Sequence, residues 1–339
     1  MDTTLPQSLI QLSLHSLKTV QNHVFQLNQQ AIQQNNSVET QAIRLKPQPI
    51  PLRPNRQETT VAAVDTSSMK IGETDTGVLI AVRGATVWKQ QRHYRYMRLG
   101  PFIFHTTDEN KRELYTALQK AYFNVAYEHT FTGMLNLTQM PMRIASLLEK
   151  WLQTSLTRTL TNSLVLFDGS LTAGTPDAPT QRMKQLLVTA RNRNNAVLAF
   201  SKMTNLRTNG YLITDALPPH RPPCMLETDG LKQRPPMMLL GDVYVARLTS
   251  GSYAFRLDID REIPPNERVE AVERLLGNDL LSQSYPETLR LAHILCTFTA
   301  NEVIAMQHFL TRQHRVKIVN RPDMHRLLFG PFGKGESSS

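Results

Sequence analysis

Val61-Ala-Ala-Val-Asp65-Thr66-Ser67 and Leu164-Val-Leu-Phe-Asp168-Gly169-Ser170 share one pattern: a short apolar run stops at an acid and gives way to small polar residues. Runs of this length and composition read as strands buried on both faces of a sheet. Working outward, residues 77–87 and 92–106 carry β-branched and aromatic side chains and read as further strands in hairpin order. Residues 108–127 (Leu114, Leu118, Ala121 and Val125 on one side) and 142–160 (Ile144, Leu147, Leu148, Trp151, Leu152 and Leu156) show helical spacing. Residues 180–191 read as helix, 196–200 as strand, and 242–248 with 253–259 as an antiparallel pair. Residues 265–277 and 286–312 read as helices, with 316–319 as a last strand. Hairpins first and crossovers later describe an α/β fold with a mixed sheet flanked by helices.

The ends of the chain differ from this middle. Ile10, Leu14, Leu17, Val20, Val24, Leu27 and Ala31 recur every three or four positions, so residues 1–45 read as an amphipathic helical extension. It packs on its own domain or against another subunit or partner, and both readings stand. Residues 46–57 are proline-rich and read as an extended linker. The main domain then runs from 58 to 325, with a proline-rich loop or lid near 215–240. Residues 326–339 read as a flexible tail.

The 339 residues include 38 Lys+Arg against 28 Asp+Glu, a net charge of +10, and 40% hydrophobic residues. That balance excludes collagen-like, mucin-like and wholly disordered chains. No apolar run reaches the roughly 18 residues of a bilayer span. The positive charge favours a polyanionic partner such as DNA or RNA. Two cysteines, Cys224 and Cys296, cannot build a zinc site by themselves, and both read as free thiols in a reducing cytoplasm.

Ligands bind open α/β sheets at the carboxyl ends of strands. If the strands ending at Asp65 and Asp168 are neighbours, two carboxylates face one cleft. They repel, and a divalent cation with a preference for oxygen, Mg²⁺ or Mn²⁺, offsets that repulsion. The plainer alternative is that each Asp caps the next turn. Glu149 lies beside the Leu148–Leu152 face, as a solvated residue or as a third metal carboxylate. His293 on an apolar helix is a core residue or a ligand, and Lys202 after Phe200-Ser201 is a strand-end cation. The chain has no GxxxxGK[ST] phosphate loop, GxSxG elbow, HExxH, CxxC or GxGxxG, so ATP hydrolysis and familiar Ser or Cys nucleophiles are not expected.

Taken together, Ala63-Val64-Asp65-Thr66-Ser67-Ser68, Leu164-Val-Leu-Phe-Asp168-Gly-Ser-Leu171, Ser201-Lys202, and Ser284-Tyr285-Pro286 followed by Ala292-His293 resemble the NurA nuclease family, in the family's order. Thr66 departs from the pattern, in which Gly commonly follows the first Asp. The resemblance implies an RNase H-like core and a homodimer with a central DNA channel. It implies Mn²⁺-dependent 5′→3′ exonuclease and single-strand endonuclease activity, Mg²⁺ being the alternative ion, in double-strand break resection with the hexameric ATPase HerA. It makes Asp65, Glu149 and Asp168 metal ligands and His293 a metal ligand or a proton-transfer group, with Tyr285 orienting a phosphate or a metal-bound water and Lys202 offsetting phosphate charge near the scissile bond. Arg191, Arg193 and Arg207 are candidates for phosphate tracking. A catalytically inactive DNA-binding or motor-binding scaffold, and a nuclease directed at RNA, are the competing readings.

Overall fold

The computed structural model describes residues 43–123, 135–217, 221–229, 231 and 237–319. The expected N-terminal helix and the expected tail lie outside the described residues. Eight longer strands build the sheet: β1 (Val61–Glu73), β2 (Gly77–Gln90), β3 (His93–Thr107), β4 (Leu164–Asp168), β5 (Ala196–Ser201), β6 (Cys224–Asp229), β7 (Gly241–Arg247) and β8 (Phe255–Asp260). The helices are α1 (Lys111–Phe123), α2 (Met140–Thr159), α3 (Thr180–Arg191), α4 (Pro265–Asn278), α5 (Glu287–Cys296) and α6 (Ala300–His314).

The sheet order is β6-β7-β8-β5-β4-β1-β2-β3. β1, β2 and β3 form an antiparallel meander, and β4 and then β5 add in parallel on the other side of β1. An antiparallel meander extended by two parallel strands beside its first member is the RNase H-like arrangement. β8, β7 and β6 continue the sheet in antiparallel fashion.

Alternation along the strands sorts the core into two layers. Ala62, Val64, Val165, Phe167, Val197 and Ala199 pack against α2 and α3, meeting Ile144, Leu148, Leu152, Leu186 and Leu187. Val61, Ala63, Leu164, Leu166, Leu198 and Phe200 face the other way and meet α4 and α5 through Ala271, Val272, Leu275, Leu289 and Ala292. Each fully buried Leu or Phe in these layers contributes about 1.5–3 kcal/mol relative to exposure. Asp65 and Asp168 lie two residues beyond Ala63 and Leu166, so both belong to the α5 face.

Four sequence expectations are corrected. β1 does not stop at Asp65 but continues to Glu73, paired with β2 throughout; Thr66-Ser-Ser suits a half-exposed strand as well as a turn. The proline-rich 215–240 stretch contains β6, a sheet strand paired with β7. The helix expected over 286–312 is two helices, because the segment Thr297–Thr299 breaks it. The second restarts on a capping box between Thr299 and Glu302, and Glu302 pairs with the buried Arg83 at 2.8 Å. Residues 316–319 form no strand, although the Val319 N–H donates to the Glu73 carbonyl. The 46–57 stretch is extended, as its prolines require, and it is also packed. Ile50–Pro51 pairs with Cys224 and Met225, and Leu52 is 4% exposed.

Candidate active site

The opening in the sheet comes from a mismatch in strand length. β4 pairs in parallel with β1 from Val61↔Leu164 to Val64↔Phe167 and ends at Asp168, while β1 runs on. One more step of the same register sets Asp65 beside Asp168 on strands about 4.8 Å apart, with both side chains on the α5 face. Gly169 makes the turn away from β4 at φ +92°, a conformation that favours glycine, and its N–H donates to the Phe200 carbonyl at 2.8 Å. β4 pairs with β5 up to Asp168↔Phe200, which brings Lys202, just past β5, to the same edge.

Two of the remaining groups arrive from beneath the α5 face. His293 Nδ1 lies 2.7 Å from Asp65 Oδ2, with the side chain 53% exposed. The imidazole thus connects a buried carboxylate to solvent. Tyr285 precedes α5. Its ring packs edge-on against Phe200 and Phe255, with centroids 6.1 and 5.2 Å away, and its hydroxyl donates to Asp168 Oδ1 at 3.5 Å. Lys202 Nζ donates to Asp168 Oδ2 at 2.7 Å and sits 5.8 Å from the Tyr285 ring centroid.

Glu149 reaches the cluster from α2. That helix lies close against the sheet at Gly84, where a Cβ would come within 2.6 Å of Leu152 Cδ1. The Thr66 hydroxyl also donates to the Ala145 carbonyl at 3.2 Å. Glu149 Oε1 accepts from Gln153 Nε2 at 2.6 Å and lies 3.6 Å from Lys150 Nζ.

The electrostatics tie these groups together. Burial pushes the Asp65 carboxyl up, and the charge of Asp168 pushes it further; the His293 hydrogen bond, Lys202 and the Thr66 N–H pull it back. Burial likewise raises Glu149; Lys150 opposes this, while Asp65 and Asp168 add to it. Tyr285 is pushed well above its usual range by burial first and then by Asp168 and Asp65, so it stays a neutral donor. Three carboxylates gathered at one edge, with the ionisation of Asp65 and Glu149 disfavoured by burial and by neighbouring negative charge, are the donor set that a hard divalent ion neutralises. Asp65, Glu149 and Asp168 with the imidazole of His293 therefore fit Mn²⁺ or Mg²⁺ in chemistry.

Contact is uneven across the set. Asp65 touches His293, and Asp168 touches Lys202 and Tyr285. Among the described residues, the group with ligand atoms all within 4.8 Å of one another is Asp65, His293 and Cys296. Asp168 and Glu149 lie outside that tightest group and join it through charge. Cys296 was not among the expected site residues. Its signal in the sequence is its position three residues after His293, on the same side of α5. Gln153, four residues after Glu149 on α2, was also missed.

The arginines expected to track phosphate lie elsewhere. Arg191 pairs with the buried Asp260, and Arg193 Nε donates to the Leu160 carbonyl at 2.9 Å, ahead of β4. Both are at the amino ends of β4 and β5, opposite the carboxylates. Arg207 Nη1 donates to the Gly210 carbonyl in its own turn.

No family model and no curated protein matches this chain. Solved structures similar to it include the NurA nuclease from Sulfolobus solfataricus, at 15% identity and TM-score 0.43, covering 93% of this chain and 98% of that one. NurA bound to dAMP and manganese is similar at 10% identity and TM-score 0.43, covering 78% and 90%. An endonuclease V from Bacillus subtilis is similar at 13% identity and TM-score 0.34, covering 78% and 87%.

Proposed function

We propose that this chain is a metal-dependent deoxyribonuclease of the NurA type. The observation that carries the reading is the placement of Asp65 and Asp168 side by side on parallel neighbours, one step past Val64↔Phe167, on one face, where β4 ends and β1 continues. Structural packing alone gives no reason to set two acids side by side there. Asp65, Glu149, Asp168 and His293 would hold Mn²⁺, or Mg²⁺ in its place. When bound, such an ion lowers the pKa of the attacking water and stabilises charge on the leaving oxygen.

The chain's own residues do the rest. Asp65 anchors His293 through Nδ1, which leaves its other nitrogen as the one that would ligate the ion. Lys202 and the neutral Tyr285 hydroxyl hold Asp168 in place, and both would contact a phosphate oxygen of the substrate. The net charge of +10 suits a polyanionic substrate, so binding should weaken as salt rises.

We extend the reading to 5′→3′ exonuclease and single-strand endonuclease activity in double-strand break resection. The chain would act as a cytoplasmic, nucleoid-associated homodimer working with a HerA-type ATPase. No described helix is long and apolar enough to cross a membrane. The test is cleavage of labelled DNA by the full chain. EDTA should stop it, Mn²⁺ should restore it, and Asp168→Ala should abolish it while leaving DNA binding in place. Cleavage that survives chelation or Asp168→Ala would overturn the reading.

A further inference from the structure

Cys296 contributes nothing to a nuclease that runs on hard cations, yet its sulfur belongs to the tightest cluster of ligand atoms in the site. The side chain is fully buried, and Sγ donates to the His293 carbonyl at 3.2 Å along α5. Its ligand atom, those of Asp65 and those of His293 lie within 4.8 Å of one another. In a tetrahedral site with Zn–S near 2.3 Å and Zn–N near 2.0–2.1 Å, ligand atoms stand about 3.5 Å apart. A contraction of roughly an ångström therefore closes the three around one ion. Access comes from the half-exposed His293 side.

We propose that Asp65, His293 and Cys296 form a three-ligand site for a thiophilic divalent ion, with Zn²⁺ as the ion it selects, leaving a fourth position open. Sulfur, nitrogen and one carboxylate suit Zn²⁺, whereas Mg²⁺ and Mn²⁺ gain little from a thiolate. On binding, the Sγ–H bond breaks as the sulfur–zinc bond forms, and the proton passes to buffer. The proton shared by Asp65 and His293 Nδ1 moves to Nε2 by exchange with solvent, and their hydrogen bond gives way to two ligand bonds. Asp65 and His293 are shared with the hydrolytic arrangement, so zinc and the hydrolytic ion compete. Zinc becomes an inhibitor of the enzyme, which is the part of the inference that rests on the nuclease reading.

The test uses Co²⁺ as a probe, added to the full-length, metal-stripped protein. A near-ultraviolet thiolate-to-cobalt charge-transfer band should grow to one equivalent and be displaced by Zn²⁺. Cys296→Ser should remove the band and weaken zinc binding by about tenfold or more, with an unchanged circular dichroism spectrum. Cys224→Ser should leave the band intact, because Cys224 lies on β6, paired with Pro51 and Arg247. Zinc should inhibit Mn²⁺-supported cleavage in the parent chain and less so in Cys296→Ser. Calorimetric Co²⁺ binding without a thiolate band, or a band that persists in Cys296→Ser, overturns the site. If the band is present but no DNA is cleaved with any ion, the zinc site stands and the nuclease reading falls. If Mn²⁺ supports cleavage and no band forms, the reverse holds.

Discussion

Asp258 and Asp65 are both buried acids on the central strands, and their surroundings are opposite. Asp258, on β8, is wholly inaccessible. It accepts two hydrogen bonds from the Arg256 guanidinium, each 2.7 Å, and a third from the Leu171 N–H at 2.9 Å. Asp260 two residues on faces Arg191. Asp65 is nearly as buried, at 7% exposure, but its side-chain partner is an imidazole and its neighbours across the opening are Asp168 and Glu149. One carboxylate is closed off by an arginine of its own strand and by the Leu171 N–H. The other belongs to a group whose negative charge is only partly offset by Lys202 and Lys150. The fold supplies a forked arginine to one buried acid and leaves another among its own kind, and on the proposed reading a cation from outside offsets the second set.

The largest expected contrast follows from exchanging each acid for its amide. Asp258→Asn leaves Arg256 buried beside a neutral group and should cost about 3–5 kcal/mol of stability, read by denaturant unfolding. Asp168→Asn should abolish cleavage while leaving stability equal or slightly higher, because it relieves repulsion on Asp65 and Glu149. If Asp168→Asn destabilises the chain as strongly as Asp258→Asn, the distinction between structural and functional acids breaks.

A somewhat smaller effect is expected at Gly84. A methyl group there meets Leu152 Cδ1 at 2.6 Å and Leu148 Cδ2 at 3.2 Å. Gly84→Ala should lift α2 off the sheet at about 1–3 kcal/mol and carry Glu149 with it. Cleavage should fall more than stability implies, and added Mn²⁺ should recover part of it. A variant that loses stability without raising the Mn²⁺ requirement would show that the position of Glu149 is unimportant.

The pH dependence sharpens the same comparison. Asp65 and Glu149 have native carboxyls raised above their ordinary values of 3.8 and 4.5. The native state therefore binds more protons than the unfolded chain just above those values, so these two groups favour folding at lower pH. That contribution is lost as pH rises through their raised native values. In EDTA, thermal stability relative to an Asp65→Asn/Glu149→Gln variant should be higher in mild acid than at neutrality. Divalent cation should reverse the trend, since it favours the ionised forms. A difference curve that stays flat with pH would break the link between the raised carboxyls and stability.

Much of the fold was legible because its signal is local. The alternation that places Ala62 and Val64 against α2, and Val61 and Ala63 against α4 and α5, is written in short runs, and residues 180–191 read as the helix that α3 is. What failed depends on partners distant in sequence. Asp65 reads as a strand end because polar residues follow it, yet β1 continues because β2 pairs with it to Glu73. β6 hides in a proline-dense stretch and becomes a strand only beside β7. The break before α6 rests on Thr299 and Glu302, with Arg83 from β2 as the third member. Within the site, Asp65 and Asp168 were legible as a doubled motif. Cys296 was not, because a thiol one helical turn from a histidine means nothing until a carboxylate from another strand approaches both.

The finest expected effect is at Tyr285. Its hydroxyl reaches Asp168 at a long 3.5 Å, while Lys202 holds the other oxygen at 2.7 Å. Removing the hydroxyl therefore leaves Asp168 oriented, and the ring's packing against Phe200 and Phe255 is unchanged. Tyr285→Phe should keep full stability and lower kcat by about tenfold, the loss of one weak donor near developing charge, with little change in the Mn²⁺ requirement. Lys202→Met removes the shorter bond and the positive charge together and should lower kcat further, while freeing Asp168 from a cation that competes with the metal ion. If Tyr285→Phe costs more than Lys202→Met, the tyrosine hydroxyl and not the lysine is the principal phosphate contact, and Asp168 is only its resting partner.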